Sequence, residues 1–314
     1  MKILVTNSWI ARHVEEIRGD FPAVEFVIPD ADADMIAAAA DAEVAFGSVT
    51  AELLAAAPRL KWVHAASAGV EWMPAELAAT DIVVTNTRGA HASTIAEHGF
   101  GMLVYLARRF EDLRQAQRDK VWMRPPPQPT VALAGLTMGV IGLGNIGRAI
   151  AVRAHAFEMR VIAVDAHPVA QPEYVAELGL LDGLDDLLRR ADVVAVAVPI
   201  TDATRGMLSP ERLALLKPGA YLLVLSRGGI VDEPALARML RKGSLAGAGL
   251  DVTAVEPLPA DSELWDTPNI LISPHSSPVS ARTNELVTTI MRRNLAHYLA
   301  GEPLDNVVDK KLGY

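Results

Sequence analysis

"VIGLGNIG", residues 140–147, places Gly142, Gly144 and Gly147 in the spacing G-x-G-x-x-G. Alone, such a pattern arises by chance, because glycine is common. Its surroundings give it meaning. The apolar run Met138–Ile141 leads into it, a helical stretch from Asn145 to about Phe157 leaves it, and a second apolar run ends on Asp165. That is the strand, glycine turn, helix, strand and acid of a dinucleotide-binding unit. Gly142 permits the tight turn, Gly144 lets a pyrophosphate approach the backbone, and Gly147 lets the helix pack on the strand. Asn145 and Ile146 open the helix whose N-terminus receives the phosphates. The Asp165 carboxylate suits ribose hydroxyls and repels a 2′-phosphate, which favours NAD over NADP.

The pattern around this unit repeats along the chain. Short apolar strands are expected at Ile3–Thr6, Val24–Ile28, Val44–Phe46, Trp62–His64 and Ile82–Thr85, with Ala-rich helices between them. Thr50 is the expected N-cap of one of these helices. A long helix is expected from about Ser93 to Arg118, before "RPPPQP" (124–129), which reads as a linker by composition. After Asp165, strands are expected at Val193–Val198, Tyr221–Leu225, Ala246–Leu250 and Ile270–Ser273. Ser209-Pro210 and Asp232 open helices, and Lys217-Pro218-Gly219 and Gly243 close them. Near-continuous apolar strands separated by helices predict parallel sheets covered on both faces, hence two doubly wound α/β domains with a Rossmann unit as the second.

Composition agrees with that reading. The chain has 314 residues, 51% of them hydrophobic, which is enough for two packed cores. Its 29 basic and 38 acidic residues give a net charge of −9 without any block of like charge, which argues against a nucleic-acid surface. There are no cysteines, so disulfides, thiolate metal sites and a Cys nucleophile are excluded, and a reducing cytoplasm fits. The N-terminus reads as a first strand and no segment approaches the length of a membrane helix. No histidine–carboxylate cluster has metal-ligand spacing, so no metal is expected.

Three ionisable groups follow strands at the carboxyl end, where open parallel sheets bind ligands. Arg227 follows Tyr221–Leu225, Asp251 and Glu256 follow Ala246–Leu250, and His275 follows Ile270–Ile272 in "ISPHSSP". A cationic anchor, a carboxylate and a histidine are what reduction of a keto acid requires: something to grip the substrate, something to donate a proton, and something to tune the donor.

Eight ordered blocks carry a family resemblance: "SAGVEWMP" (67–74), "TNTRGAHASTIAEHGFGML" (85–103), "GVIGLGNIG" (139–147), "VPITDAT" (198–204), "SRGGIVDE" (226–233), "DVTAVEPLP" (251–259), "NILISPH" (269–275) and "LDNVV" (304–308). The chain resembles the NAD-dependent D-2-hydroxyacid dehydrogenases, which include glyoxylate/hydroxypyruvate reductases and phosphoglycerate dehydrogenases. The resemblance implies a flavodoxin-like substrate domain, residues 1–96 and 282–314, and an NAD-binding Rossmann domain, residues 97–281, with the active site in a cleft between them. It implies that Arg227 grips the substrate carboxylate and keto oxygen. His275 is the proton donor and acceptor, and Glu256 pairs with it and raises its pKa. Ala68, Gly69 and Val70 cradle the carboxylate through their backbone. Pro199 and Thr204 line the cofactor, and Asp251 holds the nicotinamide carboxamide. It also implies a homodimer and a small 2-keto or 2-hydroxy acid as substrate.

Two departures from the family pattern stand out. Many members have Arg where this chain has Asn145, and many follow the catalytic histidine with a β-branched residue and Ala-Gly or Ser-Gly, where this chain has Ser276-Ser277-Pro278. That loop is where the protein is expected to differ from its relatives. A phosphite-type dehydrogenase on the same scaffold and an NAD-sensing corepressor-like binding protein are the competing readings. Formate-type enzymes carry Gln where Glu256 stands, which argues against that activity.

Overall fold

The computed structural model describes residues 1–124 and 129–311. The proposed linker "PPPQP" lies largely outside them. The chain divides into two compact units, Met1–His91 with Val279–Tyr314, and Ala92–Pro278.

The first unit holds a five-stranded parallel sheet of β1 (Lys2–Val5), β2 (Glu25–Val27), β3 (Val44–Phe46), β4 (Trp62–His64) and β5 (Val83–Thr85), in the order β2-β1-β3-β4-β5. Between the strands run α1 (Ser8–Ile17), α2 (Asp32–Ala39), α3 (Ala51–Ala56) and α4 (Ala75–Ala78). Thr50 caps α3, its hydroxyl accepting from the Leu53 N–H at 3.1 Å. Strands β1, β3 and β4 are almost wholly buried, which is why they read as unbroken apolar runs.

The second unit begins with α5 (Ala92–Ala107) and α6 (Phe110–Arg118), followed by β6 (Thr137–Ile141), α7 (Asn145–Ala156), β7 (Arg160–Asp165) and β8 (Glu177–Leu180). Then come α8 (Leu184–Arg190), β9 (Val193–Val196), α9 (Pro210–Leu213), β10 (Tyr221–Val224), α10 (Glu233–Arg241), β11 (Gly247–Leu250) and β12 (Ile270–Ile272). The final helix, α11 (Ala281–Ala300), belongs to the first unit. The seven strands are parallel in the order β12-β11-β10-β9-β6-β7-β8. Strand order reverses between β6 and β9, so the glycine turn after β6 lies at the switch point where such sheets bind ligands.

Two expectations differ from the structure. The single helix over residues 93–118 is broken at Arg109, whose φ of 57° is left-handed, so α5 and α6 are separate helices. No Gly or Pro marks that break. At the break the Arg109 N–H donates to the Leu106 carbonyl at 3.2 Å, and its side chain donates to Asp112 at 2.7 Å and to Asn269 at 3.3 Å. Strand β8 was not foreseen, because it is an edge strand without a buried face, and Gly179 interrupts its pattern.

Candidate active site

The glycine turn is shaped by missing side chains. Gly142 has φ +93°, and a Cβ there would lie 2.9 Å from the Val198 nitrogen. A Cβ on Gly147 would sit 1.8 Å from the Gly142 carbonyl oxygen, so this residue fixes how closely α7 approaches the turn. Gly144 is different. A Cβ there would meet nothing within 4 Å, so this stretch of backbone is open to a ligand. Asn145 is exposed and Ile146 half-buried in the first turn of α7. Asp165, at the end of β7, accepts from the Leu143 N–H at 2.6 Å and the His167 N–H at 3.1 Å. Its carboxylate thus stands against the glycine turn, where ribose hydroxyls would meet it. In the loop after β9, the Thr204 hydroxyl donates to the Pro199 carbonyl at 2.6 Å and accepts from the Thr201 N–H at 2.8 Å. Thr204 therefore braces that loop, and Pro199 is exposed.

At the ends of β10, β11 and β12 the structure brings some predicted residues together. His275 Nδ1 lies 2.8 Å from Glu256 Oε2, with the two side chains 41% and 35% exposed. Glu256 Oε1 accepts from the Thr253 N–H at 3.0 Å, which fixes the carboxylate. Arg227 is half-buried and donates to the Ser226 carbonyl at 2.7 Å. Its loop is seated on the Glu256 loop, since a Cβ on Gly228 would lie 1.9 Å from the Thr253 carbonyl oxygen. A cavity of about 540 Å³ opens beside the pair, its polar lining including Asp251, Glu256 and His275, its apolar lining Pro257, Leu258 and Trp265.

His275 has φ +51°, a left-handed conformation that costs a non-glycine residue about 1 kcal/mol or more. The kink is held by its own N–H, which donates to the Asp251 carbonyl at 2.7 Å and to the Ser273 carbonyl at 3.0 Å. The Asp251 side chain completes the support. It is almost wholly buried, at 1% exposure. Its Oδ1 accepts from the Ser273 hydroxyl at 2.6 Å and from the N–H groups of Ser276 and Ser277 at 2.9 and 3.2 Å. Its Oδ2 accepts from Ser277 N–H at 3.1 Å. The bonds from residues 276 and 277 come from backbone, which accounts for a departure in side-chain identity at these positions that leaves the loop intact.

In the first unit, the loop after β4 is held through its carbonyls. Thr87 Oγ1 donates to Ala66 O at 2.5 Å, the Asn86 amide donates to Ala68 O at 2.7 Å, and the Ser67 hydroxyl donates to Gly69 O at 2.7 Å. Val70 is buried. Acceptors are thus committed to the protein in a segment whose expected partner, a carboxylate, needs N–H donors.

Comparison with known proteins agrees with this geometry. Residues 100–277 match the model of the D-isomer specific 2-hydroxyacid dehydrogenase NAD binding domain. The chain belongs to the D-isomer specific 2-hydroxyacid dehydrogenase family. It is similar to a D-3-phosphoglycerate dehydrogenase of Mycobacterium leprae, 36% identical over 284 residues, covering 90% of this chain and 52% of that one. It is also similar to a glyoxylate reductase of Korarchaeum cryptofilum, 34% identical over 269 residues, covering 84% and 80%. A D-isomer specific 2-hydroxyacid dehydrogenase family protein of Aeromonas salmonicida superposes with TM-score 0.86 at 30% identity, covering 98% of this chain and 99% of that one. The chain spans about half the length of the mycobacterial relatives.

Within this dehydrogenase family member, sequence reasoning passed over three residues that the structure places at the site. Glu233, at the start of α10, accepts from the Ala254 N–H at 2.6 Å. Burial raises its carboxyl above the ordinary value, and the charge of Glu256 adds to that. His98 and Ser273 join the Asp251 cluster, with His98 Nε2 2.8 Å from Ser273 Oγ. No local pattern marks a bond across 175 positions. The histidine and serine fell within recognised blocks, but only as helix and strand-end residues.

Proposed function

We propose that this protein is an NAD-dependent oxidoreductase that interconverts a small 2-keto acid, such as glyoxylate or hydroxypyruvate, and the corresponding D-2-hydroxy acid. The observation that carries this reading is the His275–Glu256 pair at 2.8 Å, with Glu256 fixed by Thr253. Glu256 accepts from Nδ1–H, so Nε2 is the atom that exchanges a proton with substrate. In reduction the imidazolium donates from Nε2 to the keto oxygen, and in oxidation neutral Nε2 takes the hydroxyl proton. NADH, when bound, supplies the hydride that the keto carbon receives. The open backbone at Gly144, the N-terminus of α7 and the Asp165 carboxylate fit its pyrophosphate and ribose. Arg227 is the group that neutralises the substrate carboxylate and polarises the carbonyl. Exposed Phe110, Leu113, Val121 and Trp122 support a homodimer, which light scattering checks.

The test is NADH oxidation by wild type and by His275→Ala across glyoxylate, hydroxypyruvate, pyruvate and bulkier keto acids. The substitution should lower kcat by about 10³-fold with NADH affinity retained. Undiminished turnover by the variant would exclude His275 as proton donor.

A further inference from the structure

We infer that His98 is a positioning residue for the His275 loop, acting through Ser273 on the buried Asp251 carboxylate. The proton count fixes the direction of the chain. The Ser273 hydroxyl has one hydrogen and donates it to Asp251 Oδ1 at 2.6 Å, so at its 2.8 Å contact with His98 it accepts, and His98 carries the proton on Nε2. His98 Nε2 is also 3.8 Å from Asp251 Oδ1, the carboxylate oxygen that receives the N–H groups of Ser276 and Ser277. One donor on α5 thus strengthens and aims the hydroxyl that fixes the anion, and the anion fixes the two residues after His275.

The platform that presents His98 is rigid. Its neighbour Gly99 lies so close to β10 that a Cβ there would be 2.3 Å from Leu225 Cδ1. One turn further on, a Cβ on Gly249 would be 2.9 Å from the Met102 sulfur, and a Cβ on Gly247 would be 3.3 Å from Leu106 Cδ2. Helix α5 is therefore seated on β10 and β11, the strands whose ends carry Arg227 and Asp251. Loss of the His98 donor frees the Ser273 hydroxyl to rotate. Asp251 then loses its shortest hydrogen bond, and the left-handed turn at His275 loses a support that its own backbone preference does not replace.

The effect on turnover rests on the reading of His275 as proton donor, so the experiment has one readout that does not. In hydrogen–deuterium exchange, His98→Leu should speed exchange of the Ser276 and Ser277 amides, with the strand amides of β6 unchanged. His98→Gln, which keeps an N–H donor, should restore protection. In NADH-dependent reduction of glyoxylate or hydroxypyruvate, His98→Leu and Ser273→Ala should each lower kcat by about ten-fold while the NADH Kd stays within about two-fold. The double variant should be no slower than Ser273→Ala alone, since both changes break one chain. Unaltered amide exchange in His98→Leu, or multiplied losses in the double variant, would overturn the inference. A wild type that turns over no keto acid refutes the functional reading and leaves the exchange result to decide the role of His98.

Discussion

The glycine turn after β6 and the His275 loop after β12 are both ligand-facing ends of strands in one sheet, yet they hold their shapes by opposite means. The first is shaped by atoms that are absent: Gly147 is fixed by the 1.8 Å that separates its would-be Cβ from the Gly142 carbonyl oxygen. The second is shaped by a charge that is present, the buried Asp251 carboxylate with bonds from Ser273, Ser276 and Ser277. A shape made by absence is specified locally and fails when something is added. A shape made by a distant ion fails when something is taken away.

Adding one methyl group at a time tests the first half of that contrast and has the largest expected effect. Gly147→Ala should cost about 3 kcal/mol or more, because its Cβ meets backbone that has no route to relax, and thermal unfolding checks it. Gly144→Ala, with open space around its Cβ but an alanine at the N-cap of α7, should cost no more than about 1 kcal/mol and weaken NADH binding as well. Equal losses of stability in the two variants would break the contrast.

Removing the charge tests the other half. Asp251→Asn keeps the volume but turns an acceptor into a donor beside Ser273 and the two amides, which should cost about 2 kcal/mol and lower kcat further than it lowers stability-corrected NADH binding. Denaturant titration paired with steady-state kinetics separates the two.

The loop after β4 sharpens the comparison, because neutral groups hold that region. Trp62 Nε1 donates to Thr85 Oγ1 at 2.8 Å, and His64 Nδ1 lies 2.7 Å from the same hydroxyl. Burial pulls the His64 imidazole down to about 3. The unfolded chain takes up that proton near pH 6.5 and the folded one does not. The contribution of His64 is therefore complete above pH 6.5 and is lost as pH falls towards 3, by up to about 1.4 kcal/mol per pH unit. The stability advantage of wild type over His64→Asn should shrink as pH is lowered from 7 to 5, and a constant difference in Tm would place the acid response elsewhere.

What could be read from sequence follows the same division. The glycine turn, its flanking strand and helix, and Asp165 are set by spacing within the 28 residues from Met138 to Asp165, and β3, β4 and the start of α7 lie where the sequence pattern puts them. The break at Arg109 and the edge strand β8 escaped, because no Gly or Pro marks the first and no buried periodicity marks the second. Arg227, Glu256 and His275 were visible as charges after strands. The contact between two of them, and the work of His98, Ser273 and the amides of 276 and 277, depend on pairings that only the folded sheet creates.

Asp251, Glu256, Ser273, His275, Ser276 and Ser277 all fall between residues 251 and 277, and β12 pairs with β11 in a register that sets Leu250 opposite Ile272. Most of the residues that hold the His275–Glu256 pair are consequently one contiguous cassette with its scaffold included. A graft of residues 247–278 from a relative would carry the histidine, its partner and the anchoring carboxylate in one exchange, with His98, Gly228, Glu233, Met102 and Leu106 among the outside positions that have to be matched.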